Sequence, residues 1–353
     1  MKERNAGLDA LRLVCMALVV QHHILTHGGL GAAAVGTEAH FAVCVLQAVS
    51  ACAVDCFALL SGYAGSGASR RPFSRAAQLW LSTAFWSVLL TAVLHVNGTE
   101  LIPALKRAAT PVVSQQYWYF TALFPLLFFA PVAERAAESC GDRTVWAAAI
   151  AGFILFSALP AYAGTDFFGT GNGYYTIWLL ALYWFGGAMR RAKALSRLRA
   201  LLWLVPAAVC CLLTAIVKAG GDAPGTEFTA PLRYTAPLTI LCAAALVLFF
   251  ANLRIPAGAG KAVSGLTRAA FGVYLIHDHP AVRARFIEGR FTGMAEMPSW
   301  LLILRTAGHV FAIFLVCLAL EEFRLFLFGA IRIPEFLQDV EDRLRGKLFP
   351  TGK

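Results

Sequence analysis

The chain has 353 residues, 59% of them hydrophobic and only 14% charged, with a mean hydropathy of +0.66 and a formal net charge of +10. Soluble domains are about one quarter charged, so the composition excludes an ordinary soluble enzyme and describes a polytopic membrane protein. The positive charge is concentrated in alternate connections between apolar runs, which makes it topological and argues against nucleic acid as a partner.

Apolar runs near 20 residues, the length that crosses a bilayer, predict helices over 7–28, 40–65, 76–96, 115–133, 144–162, 174–190, 199–218, 231–251, 262–282 and 299–322. Lys2 and Arg4 precede the first run as in a signal peptide. Arg12, Gln21, His22 and His23 interrupt it, so it reads as an uncleaved first helix. With the N-terminus in the cytosol, most of the 30 basic residues fall on one side. Examples are Arg70, Arg71 and Arg75; Arg190, Arg191, Lys193, Arg197 and Arg199; and Arg324, Arg332, Arg343, Arg345, Lys347 and Lys353. Few, such as Lys106, Arg107 and Lys218, fall on the other. The expectation is an all-α integral membrane protein of about ten transmembrane helices with both termini cytosolic, in the inner (cytoplasmic) membrane.

The first helix carries the most informative pair. Arg12 and His23 are eleven positions apart, and eleven steps of ~100° return close to the same helix face while rising ~16 Å. A central arginine costs roughly 2.5–3.5 kcal/mol on insertion scales, so such groups inside a bilayer are functional candidates by default. The second helix holds a lone carboxylate, Asp55, which must be paired, neutral or wet, with Arg12 or Arg268 as candidate partners. Ser61 and Gly62 follow at positions suited to close helix contact. Tyr117, Trp118 and Tyr119 open the fourth helix, either as an interfacial belt or as a platform for a bound acceptor. Tyr174 and Tyr175 carry the same two readings at the sixth, and the Gly-rich connection 163–173 faces the same side. Nine cysteines show neither metal spacing nor a disulfide framework and read as small core residues. His22 and His23 are adjacent and do not face one ion from a regular helix; no HExxH, Walker A or dinucleotide fingerprint occurs, and no metal is expected. The tail, residues 323–353, reads as an interfacial segment followed by a short amphipathic cytosolic helix.

Four stretches occur in order: Asn5, Asp9, Arg12 and His23 in the first helix; AVDCFALLSGYAG over 53–65; QQYWYFTALFPLLF over 115–128; and AFGVYLIHDHPAVR over 270–283. Together they resemble the acyltransferase-3 family of membrane-bound acyltransferases, over residues 5–322. That resemblance implies ten helices, an acyl-coenzyme A donor (acetyl-CoA in the usual case) reached from the cytosol, and a hydroxyl acceptor on an extracytosolic polysaccharide or lipid-linked glycan. After Phe73, relatives often carry two arginines three apart, whereas Arg75 and Gln78 stand here.

Acyl transfer to a hydroxyl needs a base with a pKa near the working pH, and histidine (~6.5) is the usual choice. His23 and His277 each lie ~23 Å from the cytosolic end of their helices, so they meet at one level. His23 is expected as general base and His277 as a polarising or orienting group. Arg12 and Arg268 lie nearer the inner surface and suit the donor's phosphates; for Arg12 the alternative is snorkelling with Asp9 as its i,i+3 partner. Asp55 and Ser61 are placed with the donor site, and Tyr117, Trp118 and Tyr119 with the acceptor. A rival reading from another class is a transporter or flippase of glycan or lipid intermediates, which buried Arg, Asp and His also suit; no paired halves accompany them.

Overall fold

The computed structural model describes residues 5–65, 72–94, 101–192 and 199–348. Lys2, Arg4, Arg70, Arg71, Lys193, Arg197 and Lys353, counted above as loop charges, lie outside them, together with the side chains of Arg345 and Lys347. Among the described residues all regular elements are helical, apart from an isolated bridge between Ala223 and Thr226.

Among the described residues, eight helical stretches are long and apolar enough to cross a membrane: Ala6–Leu25, His40–Ala64, Phe73–Leu94, Trp118–Ser139, Asp142–Ala163, Ala200–Gly221, Ala230–Asn252 and Ser299–Ala330. The sequence led us to expect about ten. The other two expected spans are helical, but one is short and one is broken. Thr176–Arg191 has 16 residues. The stretch expected at 262–282 divides into Ala257–Leu266, a 3₁₀ turn over Thr267–Ala269, and Ala270–His277.

In chain order, α1 is Ala6–Leu25, α2 Leu30–Ala34, α3 His40–Ala51, α4 Ala53–Ala64, α5 Pro72–Leu94, α6 Leu101–Ala109, α7 Trp118–Ser139 and α8 Asp142–Phe153. A π-turn over Ile154–Ala158 joins α8 to α9, Leu159–Ala163. Then come α10 Thr176–Arg191, α11 Leu204–Gly221, α12 Pro237–Asn252, α13 Ala257–Leu266, α14 Ala270–His277, α15 Pro280–Phe286, α16 Ser299–Ala330 and α17 Ile333–Leu348.

Helix α1 is the hub. It starts where the Asn5 side chain accepts the Leu8 N–H, and it packs against α3, α4, α12, α13, α14 and α16. Leu11, Val20, Ile24 and Leu25 are fully buried, so this helix sees protein on most sides. Helices α4 and α10 meet backbone to backbone. A Cβ on Gly62 would overlap the Tyr183 carbonyl, and one on Gly186 would overlap the Leu59 carbonyl. Small residues on both helices permit that approach, as in other membrane bundles, and the closeness expected from Gly62 is realised.

The HDHP sequence shapes the end of α14. Pro280 has no N–H and disfavours helical backbone at the residue before it. His279 accordingly sits at φ −57°, ψ 132°, and the helix stops at His277. His279 Nδ1 accepts the Ala281 N–H, which leaves the proton on Nε2 facing Thr91 Oγ1 at 3.2 Å and Ser87 O at 3.3 Å. This histidine therefore fastens the α14–α15 corner to α5.

Helix α16 continues without a break past the expected tail boundary at Phe323, to Ala330. Its buried charges are mutually satisfied: Arg324 donates to both oxygens of Glu321, and Trp86 Nε1 donates to Glu321 Oε2 at 2.6 Å. The chain turns at Arg332 (φ 57°) into α17, which packs on α5. The cysteines behave as expected of core residues: all nine are free, and all but Cys140 and Cys211 are buried.

At the far end of α11, Lys218 is 1% exposed and donates to both oxygens of Asp222, at 3.0 and 2.9 Å. His40 Nε2 lies 2.9 Å from the same carboxylate, and the Phe228 N–H donates to it at 2.6 Å. Burial raises the Asp222 pKa, but these partners outweigh it and hold the carboxyl below the usual carboxylate range. A depressed carboxylate adds stability that is fully present above its unfolded value and is lost as pH falls through the lower folded one. Asp222→Ala leaves the buried ammonium with Glu227 at 3.4 Å. The expected loss is about 3 kcal/mol, the cost of breaking a buried ion pair, read as a lowered thermal midpoint in detergent at pH 7.

Candidate functional site

A cavity of about 320 Å³ runs beside α1, with Arg12, Met16, Val19, His22 and His23 along that wall. The two residues singled out by spacing thus open onto one space. The α3–α4 span returns antiparallel to α1, so Ser61 and Gly65 fall at the Arg12 end, where Arg75 of α5 also lines the wall. At the His23 end the wall is aromatic: Trp118, Tyr119, Tyr234 and Tyr274.

At the Arg12 end, Arg12 pairs with Asp9, whose other oxygen accepts from Ser264 Oγ at 2.6 Å. Asp9 is fully buried, whereas the Arg12 side chain is 32% exposed toward the cavity. The two readings of Arg12 are compatible, because its carboxylate partner holds the guanidinium at the wall. Arg190 stands behind Gly65, within reach of a Cβ placed there, and pairs with Glu134 at 3.3 Å. Ser61 Oγ donates to Phe57 O at 2.7 Å, which spends its proton inside its own helix and leaves only acceptor lone pairs for the cavity.

At the other end, α14 brings His277 against α1. His23 Nδ1 lies 3.0 Å from His277 Nε2, and His277 Nδ1 lies 2.5 Å from Val273 O. A carbonyl only accepts, so His277 carries its proton on Nδ1 and its Nε2 is an acceptor. His23 must then carry its proton on Nδ1 and donate it to His277. The network assigns the remaining His23 nitrogen, Nε2, as an unprotonated base. Asp278 Oδ1 is 3.5 Å from His23 Nδ1 and is held by Arg283 Nη1 at 3.0 Å. A carboxylate there favours the imidazolium that forms when Nε2 takes a proton.

The structure treats the other expected site residues unevenly. Trp118 and Tyr119 line the cavity, and Trp118 stacks on Tyr234 with ring centroids 5.4 Å apart and lies 4.4 Å from Tyr174. Tyr117 is wholly buried behind the wall, its hydroxyl donating to Leu275 O at 2.9 Å, so it supports α14 instead of facing the cavity. Asp55 is also fully buried, and its partner is neither arginine: Trp178 Nε1 donates to Oδ1 at 3.1 Å across the α4–α10 contact. Arg268 is exposed, bonds to Gly265 O at 3.2 Å, and is not among the lining residues. It lies in the 3₁₀ turn, where each residue advances ~120° rather than ~100°. The turn presents Thr267 to the cavity in its place, and Thr267 Oγ1 is 2.8 Å from Val263 O and 3.3 Å from Asp9 O.

Sequence reasoning passed over Asp278, Arg75, Tyr234 and Tyr274. Asp278 had a signal, an acid between two histidines ahead of a proline, and Arg75 stood at the noted Arg75/Gln78 departure. The tyrosines had none, since aromatics recur throughout the chain.

The acyltransferase-3 family model, described as an acyltransferase domain, matches residues 5–322. The chain belongs to the acyltransferase-3 family. Comparison with curated proteins returns no match, and comparison with solved structures returns none. The family makes this chain a membrane acyltransferase, and the matched region contains the whole cavity, from Arg12 to Tyr274.

Proposed function

We propose that this acyltransferase moves an acyl group, acetyl first of all, from acyl-coenzyme A on the cytosolic side to a hydroxyl of an extracytosolic polysaccharide or lipid-linked glycan. The setting is the cytoplasmic membrane, crossed ten times with both termini in the cytosol; α10 and the broken α13–α14 segment supply the two crossings that fall short by length. The observation that carries this reading is the single cavity joining a guanidinium end to an imidazole end.

The donor fits by parts. About 320 Å³ is at the low end for ligand pockets and admits a thioester arm but not a nucleotide. The phosphates would stay at the mouth beside Arg12 and Arg75, with Arg190 close behind, and guanidinium forks match phosphate oxygens. Arg12 and His23 are separated by ~16 Å of helix rise, about the reach of an extended pantetheine arm. The acceptor sugar would rest on the Trp118–Tyr234 stack, an apolar face with polar edges.

His23 Nε2 takes the hydroxyl proton as the oxygen adds to the thioester carbonyl. The resulting imidazolium keeps its Nδ1–H on His277, with the Asp278 carboxylate 3.5 Å away. As the carbon–sulfur bond breaks, the proton passes from Nε2 to the departing thiolate. No covalent enzyme intermediate is needed. His277→Ala removes the acceptor that fixes the His23 tautomer. It is expected to lower kcat about 10- to 100-fold, the range for partners that orient a functional imidazole, with the donor KM within about twofold; steady-state kinetics reads both.

The deciding experiment follows labelled acetyl-CoA with purified protein in nanodiscs, together with mass spectrometry of envelope polysaccharide from producing and deletion strains. Acceptor-dependent release of free coenzyme A and loss of acetyl esters in the deletion are expected. A carrier or flippase leaves the thioester intact, and that result overturns the reading.

A further inference from the structure

Two clusters of potential metal ligands occur among the described residues: His23, His27 and Asp278, and His40, Cys44 and Asp222. In the second, the Lys218 ammonium already occupies both carboxylate oxygens, so an incoming cation meets a buried positive charge. The first lies at the imidazole end of the cavity. We propose that His23 Nδ1, His27 and Asp278 Oδ1 form an inhibitory site for a first-row transition metal, Zn²⁺ above all.

Each of the three residues offers a ligand atom within 4.8 Å of the others. His23 Nδ1 and Asp278 Oδ1 are 3.5 Å apart, and an ion about 2.1 Å from each would subtend roughly 113°, close to tetrahedral. His27 is exposed, with its ring centroid 5.1 Å from that of His23, so it supplies the entry side. Its backbone is fixed: the His27 carbonyl accepts the Gly289 N–H and the Gly28 carbonyl accepts the Phe291 N–H, both at 3.1 Å. These bonds tie the end of α1 to the loop after α15. His277 Nε2, unprotonated and 3.0 Å from His23 Nδ1, falls at the fourth position, and a set of imidazoles with one carboxylate suits zinc. His23 and His27 stand four positions apart, but Asp278 comes from a distant segment of the chain, so no local motif announces the site. One charge opposes the ion: Arg283 Nη1 is 3.0 Å from Asp278 Oδ1. Its side chain is 33% exposed and has room to withdraw, and Glu288 faces His27 with the opposite sign.

Inhibition follows from the tautomer and rests on the base role proposed for His23. An ion on Nδ1 replaces the proton that His23 gives to His277. The neutral ring then carries its one proton on Nε2, and the lone pair that takes the hydroxyl proton is gone. Metal binding and acceptor activation are mutually exclusive on the same ring.

The test is calorimetric titration of the full-length, chelator-stripped protein in detergent with Zn²⁺ alone, paired with Co²⁺ absorption and zinc inhibition of turnover. One high-affinity ion per chain is expected. His27→Ala should weaken binding at least tenfold, leave zinc-free turnover within about twofold, and raise the half-inhibitory zinc concentration by the same factor as Kd. Asp278→Asn should weaken binding comparably. Equal affinity in His27→Ala, or affinity lost in His40→Ala instead, overturns the site, as does saturating zinc that fails to slow turnover. Calorimetry needs no turnover, so the two readings fail separately. His27-dependent binding in a protein that transfers no acyl group supports the metal site and refutes acyl transfer; an active protein without such binding refutes the site alone.

Discussion

Alanine at His23 is expected to lower kcat for acyl transfer by about 10²- to 10⁴-fold, the range for a positioned general base, while the KM for acyl-CoA stays within about twofold. The split follows from position: the donor's charged end meets Arg12 and Arg75, ~16 Å of helix rise away, and His23 meets only the reacting groups at the far end. His23 is 7% exposed, so the variant also loses packing, and a thermal midpoint must accompany the kinetics. Exogenous imidazole should restore part of the rate in His23→Ala, because the vacated space adjoins the cavity. His22→Ala is the informative neighbour. His22 lines the same cavity but points about 100° away along the helix, and its loss should cost under tenfold. Equal losses at the two positions would show that this end of the cavity needs packing, not an imidazole, and the base assignment would fall.

The helical architecture was legible because bilayer-spanning segments announce themselves by length and apolarity. Helix α10 was legible too, expected over 174–190 and found over Thr176–Arg191. Its packing against α4 at Gly62 and Gly186 was not, because hydropathy carries no information about which helices meet backbone to backbone. The Arg12–His23 alignment was legible because it depends only on helical period. Arg268 was placed by depth alone, and depth does not fix the face: at the 3₁₀ turn the helical period changes, which leaves Arg268 exposed and brings Thr267 to the cavity. Asp55 was recognised as needing a partner, but Trp178 was not foreseen as that partner, since an indole N–H can satisfy a buried carboxylate oxygen as a guanidinium can. The approach of His277 to His23 was readable from equal depth in two helices. The tautomer was not readable, because it depends on His277 Nδ1 reaching the carbonyl of Val273, one turn earlier.

The second large effect concerns the donor. Arg12→Ala is expected to reduce kcat/KM for acetyl-CoA by about 10- to 100-fold, corresponding to the roughly 1.5–3 kcal/mol of a hydrogen bond to a charged group. With acetyl-pantetheine, which carries the thioester but no nucleotide phosphates, the same variant should match the parent within about twofold. Asp9 sharpens the test. It is wholly buried, bonds to Ser264 and pairs with Arg12, so Asp9→Asn leaves the guanidinium present but without its carboxylate. If Arg12 serves the donor, Asp9→Asn should raise the KM for acetyl-CoA less than Arg12→Ala does, and again leave acetyl-pantetheine untouched. If Arg12 serves only to neutralise Asp9, both variants should lose thermal stability, and neither should discriminate between long and short donors. Arg12→Lys separates charge from shape. A lysine keeps the point charge but loses the bidentate fork, so an intermediate KM marks a phosphate ligand, whereas full recovery marks a general positive field at the mouth.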